Sequence, residues 1–490
     1  MIGKDVMRDS ILLIRPPTVT KGASFIATQF PLNIASIAAT LLEKGYDTKI
    51  WDFDVRPFTE EAFKKEITAF SPFIVGISCY TPTIINGHKI AALVRKYLPN
   101  TSVIVGGPHV SALPEETLGE FQNFDIGVIG EGEEVMLELA DKLLKKKKLD
   151  GTQGLIYREN GSLRKTEKRS PIKDLDTLPF PARQPLLDIS AYRGQSHRGF
   201  SRSFLKITEI MTSRGCPNRC IFCASDVVMD RGVRFRSADS VKREIAECVE
   251  KYGFNHFTIS DDTFILREDR LYDICDEFSR HRVTWNCNAR VWPISQKMLF
   301  KMAGSGCTGI TFGVESGSPR ILELIGKNIT LEQVENAFRW SKEAGIKLVE
   351  ADVIIGSHPS ETREDVKMTQ KLLRKISPDI TMISIIVPYP GTQIYYLMQK
   401  KNLIFQDKKW ETFVLFGREP SWRTENFSAK ELVLLQKKMI LHFYFRPLYI
   451  LRILKKIKSR KELFYWLRAG SDFLLNCIRN ALRPPNRITG

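Results

Sequence analysis

Three cysteines lie close together near the middle of the 490-residue chain: Cys216, Cys220 and Cys223, in the spacing C-x3-C-x2-C. Thiolates bind soft metals, and an iron–sulfur cube normally takes four of them. Three local cysteines would leave one iron open to another ligand. A structural zinc ion would need a fourth protein ligand, and the nearest histidines, His197 and His256, lack the local spacing to supply it. The triad therefore predicts an iron–sulfur cube with one open iron.

The elements that position this triad alternate between strands and helices. Short apolar runs predict strands at 206–211, 257–260, 284–288, 309–314, 348–355 and 380–387. Six strand–helix units are typical of a partial (β/α)6 barrel of the TIM type, here over residues 201–400. In such a barrel the chemistry collects at the carboxyl ends of the strands, and the triad follows the first strand.

Polar residues and glycines also follow the later strands of this barrel. Asp261 and Asp262 follow the second strand, Glu315 and Ser316 the fourth, and Gly356 the fifth. Taken singly, each could have a purely structural role, as a helix cap, a surface acid or a turn residue. Because the ends of parallel strands meet at one edge, we expect these residues to lie around the triad.

The cysteine spacing, with an aromatic Phe222 directly before the last cysteine, resembles the radical S-adenosylmethionine superfamily. Its members bind S-adenosylmethionine at the open iron of a [4Fe–4S] cluster and cleave it to start radical chemistry. Many members carry Gly-Gly-Glu where this chain has Asp261-Asp262, which is a departure. The resemblance implies a cluster on the three cysteines and S-adenosylmethionine contacts from Phe222, Asp261, Asp262, Glu315, Ser316 and Gly356.

The residues before the barrel form a second alternating region. Apolar runs predict strands at 11–14, 48–51, 73–78, 103–105 and 126–129, with helices between them. This pattern favours an α/β domain with a doubly wound parallel sheet over residues 1–150. The domain resembles the cobalamin-binding domain that precedes the barrel in one branch of the superfamily. The resemblance implies cobalamin contacts from loops at the carboxyl edge of the sheet: Ser78, Tyr80, Thr81, Gly106, Gly107, Pro108, Gly130 and Glu131.

This domain lacks the Asp-x-His-x-x-Gly signature whose histidine ligates cobalt from below. The branch often lacks that histidine and still binds cobalamin without a protein ligand under the cobalt. His109 follows Pro108 and could either ligate cobalt or pack within its loop, and we favour packing.

Residues 151–200 are predicted to connect the two domains, and residues 401–490 to be basic and mainly helical. From residue 430 onward, 14 Lys or Arg stand against three acids. Such a basic tail could form solvated helix faces, contact a membrane surface or bind nucleic acid. We do not expect it to bind nucleic acid. Nine cysteines without a disulfide pattern favour a reducing cytoplasm, with peripheral membrane contact as an addition.

The resemblance implies an enzyme, and its leading interpretation is cobalamin-dependent methylation of an unactivated carbon. The alternative keeps the radical step but forms a ring or another carbon–carbon bond. Methylthiolation of transfer RNA would normally add a second cysteine set, whereas only Cys79 lies before the barrel. An electron carrier would have no use for an open iron and nucleoside contacts.

The sequence names no substrate. The basic, aromatic tail favours a hydrophobic one, either a lipid or a tetrapyrrole. The family also implies an electron donor such as flavodoxin or ferredoxin.

Overall fold

The computed structural model describes residues 9–18, 29–183, 192, 205–416 and 418–456. Its strands are β1 (Ser10–Arg15), β2 (Asp47–Asp52), β3 (Ile74–Ser78), β4 (Ser102–Gly106), β5 (Ile126–Val128), β6 (Leu155–Glu159), β7 (Ser162–Lys165), β8 (Ile207–Ile210), β9 (Ser213–Arg214), β10 (Arg234–Phe235), β11 (His256–Ile259), β12 (Thr284–Ala289), β13 (Cys307–Glu315), β14 (Leu348–Ile355) and β15 (Ile380–Ile385).

The α-helices lie between and after these strands. They are α1 (Leu32–Glu43), α2 (Glu60–Phe70), α3 (Ile84–Tyr97), α4 (Pro108–Ala112), α5 (Pro114–Glu120), α6 (Glu133–Leu144), α7 (Ser225–Met229), α8 (Ala238–Glu250), α9 (Glu268–Arg280), α10 (Gln296–Gly304), α11 (Pro319–Leu324), α12 (Leu331–Glu343), α13 (Arg363–Ile376), α14 (Gln393–Lys400), α15 (Ala429–Tyr444) and α16 (Pro447–Lys456).

The first sheet has the strand order β2-β1-β3-β4-β5-β6-β7. Strands β1 to β5 pair in parallel, as the buried apolar runs predicted, and helices cover both faces. The chain winds outward in both directions from β1 and β3, so the carboxyl ends of these two strands form a topological switch point, where such sheets bind ligands.

A hairpin adds the last two strands to this sheet. Strands β6 and β7 pair antiparallel with their neighbours, and they turn through Asn160 and Gly161, both at positive φ. The stretch predicted as a connector from residue 151 therefore begins with two strands of the first sheet. The domain boundaries otherwise stay a prediction, because residues 184–191 and 193–204 lie outside the described part of the chain.

The second sheet has the order β15-β14-β13-β12-β11-β8, and every neighbouring pair is parallel. This sequential order is that of the predicted partial (β/α)6 barrel. Phe257, Trp285 and Phe312 alternate with polar residues along the strands and are fully buried beneath the helices. Because all six strands are parallel, their carboxyl ends lie at the same edge of this sheet.

The carboxyl-terminal region packs on the last strand of the barrel. A capping box of Ser428 and Glu431 starts α15, and the Gln436 amide donates to the carbonyl of Ile383 at 2.8 Å. The helical prediction is confirmed as far as Lys456, and the basic tail beyond it lies outside the described residues. Within the described ranges, no helix is both long and apolar enough to cross a membrane.

Candidate active site

The cysteine loop begins and ends in a two-stranded hairpin. Strand β9 pairs antiparallel with β10, and the loop between them carries the triad and α7. Gly215 opens the loop at φ +86°, where a Cβ atom would lie 2.3 Å from the carbonyl oxygen of Gly232. Only glycine fits there without moving the backbone, so this residue fixes how the chain enters the triad.

Two of the three sulfurs receive N–H donors from the protein. The Asn218 amide donates to Sγ of Cys216 at 3.3 Å, and the Arg290 guanidinium donates to Sγ of Cys220 at 3.6 Å. Such donors stabilise negative charge on sulfur and raise the reduction potential of a bound cluster. The donor set fits thiolates that carry iron better than it fits neutral thiols.

The third cysteine, Cys223, has different surroundings from the other two. Cys223 is exposed at the lip of the loop, yet protein surrounds it densely on its other sides. Burial raises the pKa of its thiol to about 12, and the nearby Asp262, Cys220 and Cys216 add to that rise. A cation beside the sulfur would stabilise the thiolate form, and the irons of a cluster would supply that charge.

The arrangement also bears on the zinc alternative. Across the described residues, no three His, Cys, Asp or Glu side chains converge as ligands of a single metal ion. A cube is larger than one ion and binds each cysteine at a separate corner. The three cysteines would hold a [4Fe–4S] cluster, with the fourth corner left for S-adenosylmethionine.

The two aspartates after β11 have different surroundings. Asp261 is 1% exposed, and its carboxylate accepts hydrogen bonds from the backbone and hydroxyl of Thr212 and from the hydroxyl of Ser213 at 2.5–2.6 Å. Asp261 therefore fastens the end of β11 to that of β8. Asp262 lies at the wall of a cavity and accepts from the Ser225 hydroxyl at 2.5 Å. Of the predicted pair, Asp262 is the one placed to reach a ligand.

Glu315 and Ser316, predicted beside the ribose, are both buried. Glu315 has φ +62° at the end of β13 and accepts a hydrogen bond from Nζ of Lys327 at 2.7 Å. This pair packs over Gly313, where a Cβ atom would clash with both side chains. The Ser316 hydroxyl accepts from the backbone N–H of Ser318 at 3.2 Å. Their roles toward S-adenosylmethionine stay predictions.

Gly356 and Phe222 are the two remaining predicted contacts. Gly356 directly follows β14 and has φ +69°, and its N–H donates to the buried carboxyl of Glu361. Burial raises the pKa of that carboxyl to about 8. Phe222 packs partly buried against Ile321 and Ile325. Both stay predictions as adenine contacts.

A cavity of about 320 Å³ lies where the first sheet faces the cysteine loop. It is lined from one side by predicted cobalamin contacts and from the other by barrel residues next to Cys223. The predicted cobalamin contacts on its wall are Ser78, Tyr80, Gly106, Gly107, Pro108, Gly130 and Glu131. The barrel contributes Met211, Arg214, Ala224, Ser225, Val228, Met229, Arg236 and Asp262.

The glycines of this wall suit a large, flat ligand. Gly107 has φ +102°, and a Cβ atom there would lie 2.7 Å from the carbonyl oxygen of Cys79. Gly106 would direct a Cβ atom toward open space, with nothing nearer than Val128 at 4.0 Å. Backbone without side chains at the edge of the sheet lets a corrin ring approach closely.

Glu131 lines the cavity, but its carboxylate is hydrogen-bonded to other residues of the protein. Its carboxylate accepts from Arg214 at 2.7 Å, from Arg234 at 2.8 Å, and from the backbone of Ile172 at 2.8 Å. Arg214 also pairs with Glu133 at 2.5 Å. These contacts join the loop after β5 to the β9–β10 hairpin that carries the cysteines. Glu131 therefore fixes the first domain in position relative to the barrel.

Thr81, the eighth predicted cobalamin residue, lies below the cavity wall. It is 5% exposed and lies within 3.3 Å of Nδ1 of His109. The His109 ring packs edge-on against Trp410 at 4.9 Å, and burial lowers its pKa to about 3. His109 is therefore a packing residue, the role we favoured from sequence.

Sequence reasoning missed Arg214, Arg290 and Asn33. Arg290 directly follows β12, so the strand-end rule that found Asp262 could have found it. Arg214 precedes the triad by two residues, but its partners come from the other domain. Asn33 donates to the Ser78 hydroxyl at 2.8 Å on the cavity wall, and nothing in the sequence marks it.

Comparisons with known proteins agree with this architecture. Residues 210–373 match the Radical SAM superfamily, and residues 22–140 match the B12 binding domain. An uncharacterized methyltransferase of Pyrococcus horikoshii is 33% identical over 439 residues, covering 89% of this chain and 93% of that protein. The anaerobic magnesium-protoporphyrin IX monomethyl ester cyclase of Rubrivivax gelatinosus is 26% identical, over 82% of this chain and 72% of the cyclase.

Solved structures show the same fold. The radical S-adenosylmethionine methyltransferase TsrM from Kitasatospora setae, with cobalamin and a [4Fe–4S] cluster bound, superimposes with a TM-score of 0.68. The match covers 81% of this chain and 78% of TsrM, at 21% identity.

The fold and site define an enzyme that pairs a cluster-bearing barrel with a cobalamin-type sheet. The chain belongs to the cobalamin-binding branch of the radical S-adenosylmethionine superfamily. Its cofactors are those of the branch: a [4Fe–4S] cluster, S-adenosylmethionine and cobalamin. The predicted family, fold class, enzyme class and cofactors are thereby confirmed.

Proposed function

We propose that this enzyme is a methyltransferase that uses cobalamin and S-adenosylmethionine to methylate an unactivated carbon of a hydrophobic substrate. The observation that carries the proposal is the shared cavity, since glycine loops of the first sheet and residues beside the cysteine loop line one space. Two cofactors that must act on the same carbon need such a common space. The relative named as a methyltransferase in Pyrococcus horikoshii supports the same reaction class.

The chain's own residues would bind and orient the reactants. Cys216, Cys220 and Cys223 would hold the cluster, Asp262 would accept hydrogen bonds from the amino group of S-adenosylmethionine, and the loop around Gly107 would support the corrin. When bound, the cluster supplies an electron for cleaving S-adenosylmethionine, and cobalamin supplies a methyl carrier.

The wall of the cavity supports a hydrophobic substrate. Met211, Val228 and Met229 line its barrel side, across from the predicted cobalamin contacts. Such a surface gains free energy when it buries apolar groups, and it keeps water from a reactive radical. A tetrapyrrole or a lipid has the required character, and the cyclase relative is named for a tetrapyrrole substrate. We also propose a cytoplasmic location and a flavodoxin or ferredoxin as electron donor.

Isotope transfer tests the proposal. Anaerobically purified enzyme with reductant, cobalamin and methyl-deuterated S-adenosylmethionine is incubated with apolar extracts of the host cells. We expect a deuterated methyl group in an apolar product, with S-adenosylhomocysteine and 5′-deoxyadenosine both formed. Omitting cobalamin should abolish the labelled product, and the Cys220→Ala enzyme is the negative control.

Ring formation is the second candidate, favoured by the 26% identity to the magnesium-protoporphyrin cyclase. A cyclase would form 5′-deoxyadenosine and change its substrate without transferring the label. That outcome, with iron and cobalt both present in the protein, would replace the methyltransferase proposal.

A further inference from the structure

The last described helix exposes an apolar face to solvent. On α16, Leu448 is 82% exposed, Leu451 55% and Leu454 51%. Residues three apart lie on the same side of a helix, so these three leucines form one face. Isolated exposed leucines are common on protein surfaces, but a row of them is a feature of interaction sites.

The opposite side of α16 is fixed to the barrel. The Tyr449 hydroxyl donates to the carbonyl of Asp379 at 2.8 Å, and the Arg452 guanidinium donates to the carbonyl of Ser377 at 2.6 Å. Tyr449 is buried, and its ring packs against Phe443 at 5.2 Å. These anchors set the rotation of the helix, so the leucines point outward because of its docking.

The preceding helix also exposes apolar side chains. On α15, Leu434 is 61% exposed and Leu441 38%, seven residues apart and hence on one side. Phe445, between the two helices, is 50% exposed. We call these six residues the leucine face: Leu434, Leu441, Phe445, Leu448, Leu451 and Leu454.

Strong positive charge accompanies this face. Lys438 is exposed one turn after Leu434, and residues 430–456, which contain the face, have seven Lys or Arg against one acid, Glu431. The partner must therefore accept apolar side chains and attract cations. A second copy of this chain would bring two strongly basic regions together, which opposes self-association through the face.

We propose that the leucine face binds the surface of an anionic lipid bilayer, with α16 lying in the interface between headgroups and acyl chains. Apolar side chains flanked by lysine and arginine are what such an interface binds. The helix would lie along the surface, because Tyr449 and Arg452 fix its other side to the barrel. This inference does not depend on the reaction that the enzyme catalyses.

Vesicle binding by the full-length enzyme tests it, measured by sedimentation under anaerobic conditions. We expect binding to vesicles of phosphatidylglycerol and phosphatidylcholine, weaker binding to phosphatidylcholine alone, and loss of the difference at high salt. The triple variant Leu448→Ser, Leu451→Ser and Leu454→Ser should bind anionic vesicles at least about ten-fold more weakly, because three apolar side chains no longer insert.

The matched control is the double variant Phe300→Ser and Tyr396→Ser. Phe300 is 48% exposed and Tyr396 53%, on the barrel helices α10 and α14, so these residues are similarly exposed but lie outside the face. The control should bind vesicles like the unmodified enzyme. Circular dichroism and iron content should be the same for all three proteins. If the triple variant precipitates, Leu454→Asp near the end of α16 replaces it.

Two results would overturn the proposal. Unmodified enzyme that stays in the supernatant with anionic vesicles lacks the affinity, and equal binding by the triple variant places the contact elsewhere. Light scattering tests the alternative that the leucine face binds a second copy of the chain. A dimer that the triple variant abolishes, without vesicle binding, would make the face an interface between two copies.

Discussion

The Glu131 carboxylate accepts a hydrogen bond from the Arg214 guanidinium at 2.7 Å, which joins a loop of the cobalamin-type sheet to the strand that enters the cysteine loop. Both side chains are nearly buried, at 7% and 11% exposure, and both line the shared cavity. The position of one cofactor site relative to the other therefore depends on an ion pair between the domains.

Glu131→Gln should lower the free energy of unfolding by roughly 3 kcal/mol, because it leaves the buried guanidinium groups of Arg214 and Arg234 short of negative charge. Glu134→Gln is the control, since its pair with Arg169 is about half exposed and should contribute less than about 1 kcal/mol. Urea unfolding measures both. Equal losses of unfolding free energy in the two variants would show that the buried pair stabilises the fold no more than the exposed pair does.

The same ion pair predicts a response to acid. Burial acts to raise the pKa of Glu131, but hydrogen bonds and charge from Arg234 and Arg214 outweigh it and leave the pKa below its ordinary value. The pair's stabilisation is therefore complete above that ordinary value and is lost as pH falls through the lowered pKa. Unfolding curves from pH 6 to pH 3 should show a smaller acid loss in Glu131→Gln than in the unmodified protein.

Cys220→Ala should remove the cluster. With two local thiolates left, iron should fall from about four per chain to well below that, and cleavage of S-adenosylmethionine should cease. Cys248→Ala is the control, because Cys248 is buried on α8 away from the triad. Iron analysis and the visible spectrum report the cluster directly. Full iron in Cys220→Ala would contradict the assignment.

Arg290→Met should make the cluster harder to reduce. The guanidinium donates to Sγ of Cys220 at 3.6 Å, and its loss removes both a hydrogen bond and a positive charge. We expect the midpoint potential to fall by about 50 mV, the one-electron equivalent of roughly 1 kcal/mol. Redox titration followed by electron paramagnetic resonance measures it. Arg290→Lys keeps the charge and should recover part of the shift, whereas an unchanged potential in the Met variant would exclude the contact.

Glu361→Gln should become more stable than the unmodified protein as the pH rises from 5 to 8. The carboxyl has an ordinary pKa of 4.5, raised by burial to about 8, so between these values the folded protein holds a proton that the unfolded chain has released. Stability then falls as pH rises through this window, and a neutral glutamine removes that fall. The variant should gain at least about 1 kcal/mol over the unmodified protein between pH 5 and pH 8. Glu364→Gln, at a 72% exposed position, should show no such pH-dependent gain.

Gly107→Ala should weaken cobalamin binding. A Cβ atom at φ +102° would lie 2.7 Å from the Cys79 carbonyl, so the loop must shift at a cost of about 1–3 kcal/mol. Gly119→Ala is the matched control, because nothing lies within 4 Å of a Cβ atom there. Cobalt content and absorbance titration with cobalamin compare the two. Normal uptake by Gly107→Ala would exclude this loop from the site.

Much of the site was predictable because its signals are local. The spacing of Cys216, Cys220 and Cys223 is fixed by cluster chemistry, and the apolar runs that form both parallel sheets need only their own composition to be recognised. The hairpin turn at Asn160-Gly161 is likewise a property of neighbouring residues. The carboxyl ends of parallel strands meet at one edge of a sheet, so the residues at strand ends could be named in advance.

Only the tertiary structure decided what those residues contact. Asp261 and Asp262 are adjacent in sequence, yet one is enclosed by Thr212 and Ser213 and the other faces the cavity, because successive residues point to opposite sides of a chain leaving a strand. The sequence predicts Glu131 as a cofactor contact, and only the fold shows that its carboxylate is paired with Arg214 of the other domain. The sequence by itself determined which chemistry the chain carries, whereas long-range packing decided which side chains remain available to perform it.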